Sequence, residues 1–431
     1  MSDLGSLAIF GGAVIDPSQN LEAERDVLIE NGRIVELAEA GKLRGKAGES
    51  IDAKGLIVAP GFIDPHVHLR EPGQAHKETI ASGTAAAAAG GFTSVCAMPN
   101  TTPVNDLPAI TRWMQDAERG ALVNVFPIAA ATRGSQGDKL TNYAELKRAG
   151  AVAVSDDGRP ILNDDLMRKA LETAKKLGIP VIQHAEDTRL SKNNPMHEGE
   201  IAFRLGLRGQ PAESEWRLVE RDVTLARQTE AHVHVAHVST AITLEVVREA
   251  RQSGVNVTCE VTPHHFSFTD AELLGYDTNF KMNPPLRSEA DRQALLRGLL
   301  DGTVDCIATD HAPHARFEKY VEFDRAAFGI TGLEIAFGVA CTVLHQQNKM
   351  PLAQLVRLFS VNPARIVQLE GRGTLAPGAH GDVTIFDPKK RWKYDLSKTR
   401  SKSQNAPWDG TSMTGRVIYT VVGGKVVYGA K

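Results

Sequence analysis

The sequence has 431 residues, 42% hydrophobic and 23% charged, a balance that excludes a disordered or fibrous chain and a length beyond what one core of ordinary size organises. Its formal net charge of −3 provides no broad basic field for capturing nucleic acid, and no apolar run reaches membrane-spanning length. Four cysteines without a CxxC pair point to reduced thiols in a cytoplasmic setting, and residues 1–9, with Asp3 and no sustained apolar core, do not read as a signal peptide.

The first elements in chain order are short strands at 7–15, 26–30 and 33–37, and Asn31-Gly32 between the last two is a strong hairpin signal. From residue 56 the pattern changes to strands alternating with helices. Strands are predicted at 56–60 running on to 63, then at 93–98, 124–129, 151–154, 180–183, 232–236, 256–261 and 305–308. Helix-compatible stretches at 77–89, 164–177, 242–253 and 289–300 lie between them, and the alanines at 85–89 suit a helix packed closely on a barrel. Residues 382–386, 416–422 and 425–428 return to strand pattern, with Gly423-Gly424 as punctuation. This alternation predicts an α/β fold, a parallel (β/α)8 TIM barrel. Neither terminal piece holds a sheet core alone, so 1–55 and 363–431 are expected to pair into one small β-sandwich domain beside a barrel domain at 56–362.

A barrel gathers its chemistry at the carboxyl ends of its strands, and polar residues recur there. His66, His68 and Arg70 follow the first strand, Asn100 the second, Asp156 and Asp157 the fourth, His184 and Glu186 the fifth, His237 the sixth, and Asp310, His311 and His314 the eighth. In extended chain His66 and His68 project from one face about 6–7 Å apart, close enough to share a cation. Imidazole with carboxylate suits catalytic zinc, and the lack of paired cysteines argues against a structural zinc knuckle. Ligand counting suggests two ions, one on His66, His68 and Asp310, the other on His184 and His237, with a fourth-strand carboxylate between them. Two close cations activate water and polarise a carbonyl, which is hydrolytic chemistry. Of the other histidines, His264, His265 and His311 are placed as supporting partners, His232 and His234 as structural residues early in the sixth strand, and His76, His197, His345 and His380 at the surface or in packing.

Four runs carry a resemblance that is essentially end to end: Gly61-Phe62-Ile63-Asp64-Pro65-His66-Val67-His68-Leu69-Arg70-Glu71-Pro72-Gly73, Met98-Pro99-Asn100-Thr101, Lys281-Met282-Asn283-Pro284-Pro285-Leu286-Arg287 and Thr309-Asp310-His311-Ala312-Pro313-His314. The chain resembles the amidohydrolase superfamily and, within it, the bacterial class I dihydroorotases. The resemblance implies metal ligands at His66, His68, Asp157, His184, His237 and Asp310, with an aspartate where many such barrels carry a bridging carboxylated lysine; Asp156 and Asp157 compete for that role, and comparison with the family favours Asp157. It implies Zn2+, two per subunit, and substrate contacts at His68, Arg70, Asn100, Asn283, His314, Phe328 and Gly329. The implied activity is reversible, zinc-dependent cyclisation of N-carbamoyl-L-aspartate to L-dihydroorotate plus water in pyrimidine biosynthesis, by a homo-oligomer that in some relatives partners aspartate carbamoyltransferase.

For such a substrate Arg70 offers a planar fork to a carboxylate. Asp310 is expected to act as catalytic acid and base, accepting a proton from the attacking water and passing it to the departing amide nitrogen. Residues 312–328 read as a loop that closes over the pocket. The competing readings are a hydantoinase, dihydropyrimidinase or allantoinase, which usually keep the bridging lysine that residues 151–158 lack, and a non-catalytic scaffold for aspartate carbamoyltransferase, which tends to have lost ligands that are present here.

Overall fold

Strands from both ends of the chain enclose one apolar cluster, and the strands between them build a second, circular sheet. The structure, a computed structural model, describes residues 5–430, so Met1 to Leu4 of the stretch read for a signal peptide lie outside the described residues. Strands β1 (Leu7–Asp16), β2 (Leu21–Glu30), β3 (Arg33–Glu39), β4 (Glu49–Asp52) and β5 (Ile57–Pro60) come first. Then follow β6 (Phe62–Val67), β7 (Phe92–Ala97), β8 (Asn124–Ala130), β9 (Ala153–Ser155) and β10 (Val181–Gln183). A two-residue parallel pair, β11 (Met196–His197) and β12 (Gly209–Gln210), precedes β13 (Val233–Val235), β14 (Val257–Val261) and β15 (Cys306–Ile307). Strands β16 (Val383–Lys393), β17 (Ser412–Val422) and β18 (Lys425–Gly429) end the chain.

The terminal sheet runs β18-β17-β16-β5-β1-β2-β3, with β4 pairing β1 on a separate stretch of that strand. Asn31 and Gly32 both take positive φ, 50° and 76°, as a type I′ hairpin between β2 and β3 requires. Leu7, Ile9, Val27, Ile29, Val58, Val383, Ile385 and Val421 meet in one buried cluster, so the sheet curls around its own core. Residues 57–60, expected to open the first barrel strand, pair instead with β1 and β16. The chain crosses between sheets at Gly61, where an added Cβ would lie 2.1 Å from Thr93 Oγ1. β4 was not expected, because three of its four residues are polar and exposed and Ile51 alone turns inward.

The eight barrel strands are all parallel and adjacent in chain order from β6 to β15. The circle closes through a bridge between Val67 and His311 and through the Asp64 carboxylate, which accepts the Thr309 N–H at 3.2 and 3.3 Å. In helix Asp164–Leu177 the Asn163 side chain accepts the Leu166 N–H at the first turn, and Met167, Ala170, Leu171 and Ala174 form the buried face at helical spacing. The alanine-rich helix Ile80–Ala89 lies between β7 and the terminal strands β17 and β18, and small side chains let it approach both. A phenylalanine cluster joins the two sheets: Phe62 stacks on Phe359 at 5.2 Å, and Phe337 meets Phe386 of β16 at 4.5 Å. All four cysteines are buried and free, and no helix among the described residues is long and apolar enough to cross a membrane.

Candidate active site

His66, His68, Asp157, His184, His237 and Asp310 come from five strand ends and meet at the mouth of the barrel. Asp157 lies at their centre. Its Oδ1 is 3.5 Å from His66 Nε2, 3.7 Å from His184 Nδ1 and 3.8 Å from His237 Nε2, and its Oδ2 is 3.6 Å from His68 Nε2. Asp310 Oδ1 is 3.6 Å from His66 Nε2 and 2.9 Å from His68 Nε2. A tetrahedral ion with donors at about 2.0–2.2 Å spaces its ligands about 3.3–3.6 Å apart, so much of this cluster has the spacing of a coordination shell. Three overlapping groups, His66 with His68 and Asp157, His66 with His237 and Asp310, and Asp157 with His184 and His237, have ligand atoms close enough together that each could hold a metal ion.

Asp156 faces away. Its carboxylate accepts the Thr132 N–H at 3.0 Å and the Thr132 hydroxyl, and burial pushes its pKa up. Both aspartates follow the end of β9, and with Asp156 held on Thr132 it is Asp157 that enters the cluster. Backbone conformation aims the others: Arg70, His237 and Asp310 have φ of 62°, 33° and 43°, left-handed values that a non-glycine residue adopts only under constraint.

The cluster calls for positive charge. Burial opposes protonation of His66, yet the carboxylates of Asp310, Asp157 and Glu260 outweigh it and push the imidazole up to about 10. Burial likewise works against ionisation of Asp157 and Asp310, but the surrounding imidazoles, His66 foremost, hold both well below the usual carboxylate range. His66 Nε2 is buried, aims into the cluster and has no hydrogen-bond partner among the described residues. An unpaired nitrogen donor among ionised carboxylates fits a cation.

The expected substrate residues surround this centre. Asn100 accepts from His68 Nδ1 at 2.9 Å and donates to Asp157 Oδ2 at 3.0 Å. Arg70 donates through Nε to the Pro313 carbonyl at 3.1 Å and through Nη2 to His314 Nε2 at 3.2 Å, which aims the guanidinium and leaves donors free. Burial pulls Arg70 down only to about 10, so it stays charged at neutral pH. Burial, then Arg70, Lys77 and Lys319, push His314 down to about 2, so it is neutral. Asn283 donates to Glu186 Oε2 at 2.8 Å, beside His184. Phe328 lies under the Lys281 ammonium at 4.5 Å, and Gly329 abuts His314, whose Cδ2 would be 2.7 Å from an added Cβ. A cavity of about 710 Å3, lined by His76, Asn279, Arg316, Lys319 and Asn405, has His314 in its wall and none of the six cluster residues.

Several residues of this site were not assigned roles from the sequence. Glu260, in the middle of β14, accepts from His66 Nδ1 at 2.9 Å and from His234 Nε2 at 3.0 Å, and those bonds hold it down to about 2 against the effect of burial. His234, expected to be structural only, therefore reaches the cluster through Glu260. The available signal was a glutamate inside an apolar strand, since a buried carboxylate needs partners. Glu186 accepts from His184 Nε2 at 3.0 Å and is also held down to about 2 against burial, with His184 as the main cause. His265 donates to the Pro284 carbonyl at 3.0 Å, supporting the turn that carries Asn283. His311 turns instead towards Glu78, 3.3 Å away, and both ring nitrogens of buried His264 lack partners among the described residues.

The chain is similar to known proteins across nearly its whole length. A family model described as dihydro-orotase-like matches residues 55–242. A dihydroorotase of Geobacter sp. (strain M21) is 52% identical over 426 residues, 99% of this chain and 100% of the relative. One from Solibacter usitatus (strain Ellin6076) is 50% identical over 419 residues, 97% of each chain. Among solved structures, an L-hydantoinase (dihydropyrimidinase) from Arthrobacter aurescens superposes with a TM-score of 0.87 at 22% identity, covering 97% of this chain and 95% of that one, a likeness of fold alone.

Proposed function

This chain belongs to the dihydroorotase family, and we propose that it interconverts N-carbamoyl-L-aspartate and L-dihydroorotate plus water, using two zinc ions held by His66, His68, Asp157, His184, His237 and Asp310. The observation that carries this reading is the Asp157 carboxylate, set 3.5–3.8 Å from four imidazole nitrogens, so that it would share any metal ions they hold. What bound zinc would supply is Lewis acidity towards water and towards the amide carbonyl.

The chain's own groups do the rest. The further donors of Arg70 take the substrate's carboxylate as a charge-assisted pair, helped by Asn100 and His314, while Asn283, beside His184, meets a carboxylate or the ring amide. Asn100, tied to both His68 and Asp157, holds those two side chains in one arrangement. Asp310 turns Oδ1 towards His66 and His68, leaving Oδ2 to take a proton from the attacking water and deliver it to the ring nitrogen as the amide bond breaks. In ring closure the same carboxylate takes the proton from the carbamoyl nitrogen and returns it to the departing water. The barrel residues 56–362, less the strand Ile57–Pro60 that pairs with the terminal sheet, would supply all of these groups, and residues 1–55 and 363–431 the rest of the flanking β domain. A homo-oligomer, a cytoplasmic setting and association with aspartate carbamoyltransferase belong to the same reading and rest on the family likeness.

The test is ultraviolet detection of L-dihydroorotate consumption before chelation, after it and after zinc is restored, with hydantoin and dihydrouracil as rival substrates. Activity should vanish on chelation, return with zinc and favour dihydroorotate. Faster turnover of either rival, or indifference to chelation, would overturn the assignment.

Glu260 gives a separate prediction. In Glu260→Gln, His66 loses its charged hydrogen-bond acceptor, and zinc affinity should fall about 10–100-fold, the usual cost of losing such a partner. Competition with a chromophoric chelator measures it, and unchanged affinity would show that Glu260 does not orient His66.

A further inference from the structure

Two lysines beside the pocket are buried and directed at backbone carbonyls. Lys281 is 2% exposed and Lys319 is 4% exposed. Lys319 Nζ donates to the carbonyls of Ala327 at 2.9 Å, Gly329 at 3.0 Å and Lys281 at 3.3 Å, which uses all three of its N–H groups. Lys281 Nζ donates to the carbonyls of Phe323 at 2.7 Å and Asp324 at 3.0 Å, and lies 4.5 Å above the Phe328 ring. The two lysine segments are tied to the same strap: Gly329 N–H donates to the Lys281 carbonyl at 3.0 Å, and the Thr278 hydroxyl donates to the Lys319 carbonyl at 2.6 Å.

Burying an ammonium is costly unless each donor is satisfied, and burial pulls Lys281 down to about 8 and Lys319 down to about 7. A methionine would fill the same space without that cost. What the ammonium adds is direction, since one centre with three donors can hold several separate turns of chain together. The turns held here are those around 323–329, and Gly329, at φ +155°, is pressed against the His314 ring and the Ala312 carbonyl. His314 in turn accepts from Arg70.

We propose that Lys281 and Lys319 form a clasp that locks residues 323–329 against His314, so that they act as positioning residues for the Arg70–His314 pair that receives the substrate's carboxylate. The proposal rests on the reading of Arg70 and His314 given above. It assigns the loop over the pocket a pinned arrangement and names the groups that pin it.

The test uses zinc-loaded full-length Lys319→Met and Lys281→Met. Chymotrypsin is the probe of the loop, because Phe317 and Tyr320 are 67% and 82% exposed in it and neither substitution alters them. In each variant, loop cleavage should quicken about tenfold or more, as the open population grows when charged hydrogen bonds are lost. KM for L-dihydroorotate should rise about tenfold, with kcat within about threefold and zinc content unchanged, the pattern of lost binding rather than lost chemistry. Lys319→Gln, which keeps two N–H donors, should fall between Lys319→Met and the parent, and it carries the test if the Met variant fails to fold. Combined with His314→Ala, Lys319→Met should raise KM no further than His314→Ala alone. Unchanged KM, strictly additive effects or an unchanged cleavage rate would each overturn the clasp. If the parent protein fails to turn over L-dihydroorotate, the functional reading falls by itself, while the cleavage rates still decide whether the lysines pin the loop.

Discussion

Asp310→Asn is expected to fold, to bind substrate and to lose about a thousandfold or more of its turnover in both directions, within the range for removal of a positioned acid or base. The substitution keeps the volume and an oxygen to face His68, which sits 2.9 Å from Oδ1 in the parent, but it removes the only position where Asp310 can hold a transferred proton. The strand end does not depend on that charge, because Asp64 ties Thr309 to β6 and the His68 N–H donates to the His311 carbonyl at 2.9 Å. The same carboxylate must give back in ring closure what it takes in ring opening, so the loss should be equal in the two directions. Assays from dihydroorotate and from N-carbamoyl-L-aspartate, run with circular dichroism and metal analysis, check this. Near-normal turnover in either direction would remove Asp310 from the proton path.

The second large effect is expected from the pair of aspartates after β9. Asp157→Ala should cost more than the roughly 100-fold in metal affinity that losing an outer hydrogen-bond partner costs, because both Asp157 oxygens face histidines placed to share ions. Activity should fall with the metal. Asp156→Ala should retain zinc and turnover but lose about 1–3 kcal/mol of stability, since it leaves the buried Thr132 N–H and hydroxyl without their acceptor. Metal content and thermal unfolding of the two variants separate the roles. A zinc-replete, active Asp157→Ala would mean that the two positions had been assigned in the wrong order.

Much of this molecule is legible without coordinates because its elements announce themselves locally. Helices Asp164–Leu177 and Glu289–Asp301 begin and end within a residue of where periodicity puts them, and Asn31-Gly32 turns the hairpin it signals. The placement of His66, His68, His184, His237 and Asp310 at strand ends follows from the same alternation, since a barrel sends every strand end to one rim. Where local pattern failed, it failed for a physical reason. Residues 56–63 are apolar on both sides of Pro60-Gly61, and that turn signal marks a break without saying that Ile57–Pro60 joins one sheet and Phe62–Val67 another. Glu260 and Lys281 have partners far away in the chain, His66 and the carbonyls of Phe323 and Asp324, so short-range pattern does not name those partners, and Lys319 lies in a loop whose fold back onto its Nζ carries no periodic signal.

The sequence by itself determined the alternation of strand and helix, the residue types at the barrel mouth and the family to which they point, since these follow from side-chain chemistry and short-range periodicity. Only the tertiary structure decided that Asp157 and not Asp156 turns inward, that left-handed backbone at Arg70, His237 and Asp310 aims their side chains, and that Glu260 stands behind His66. Asp156 and Asp157 lie just past the three-residue β9, and which of them faces the mouth is set only when β9 pairs with β8 and β10 and Thr132 of the neighbouring segment captures Asp156.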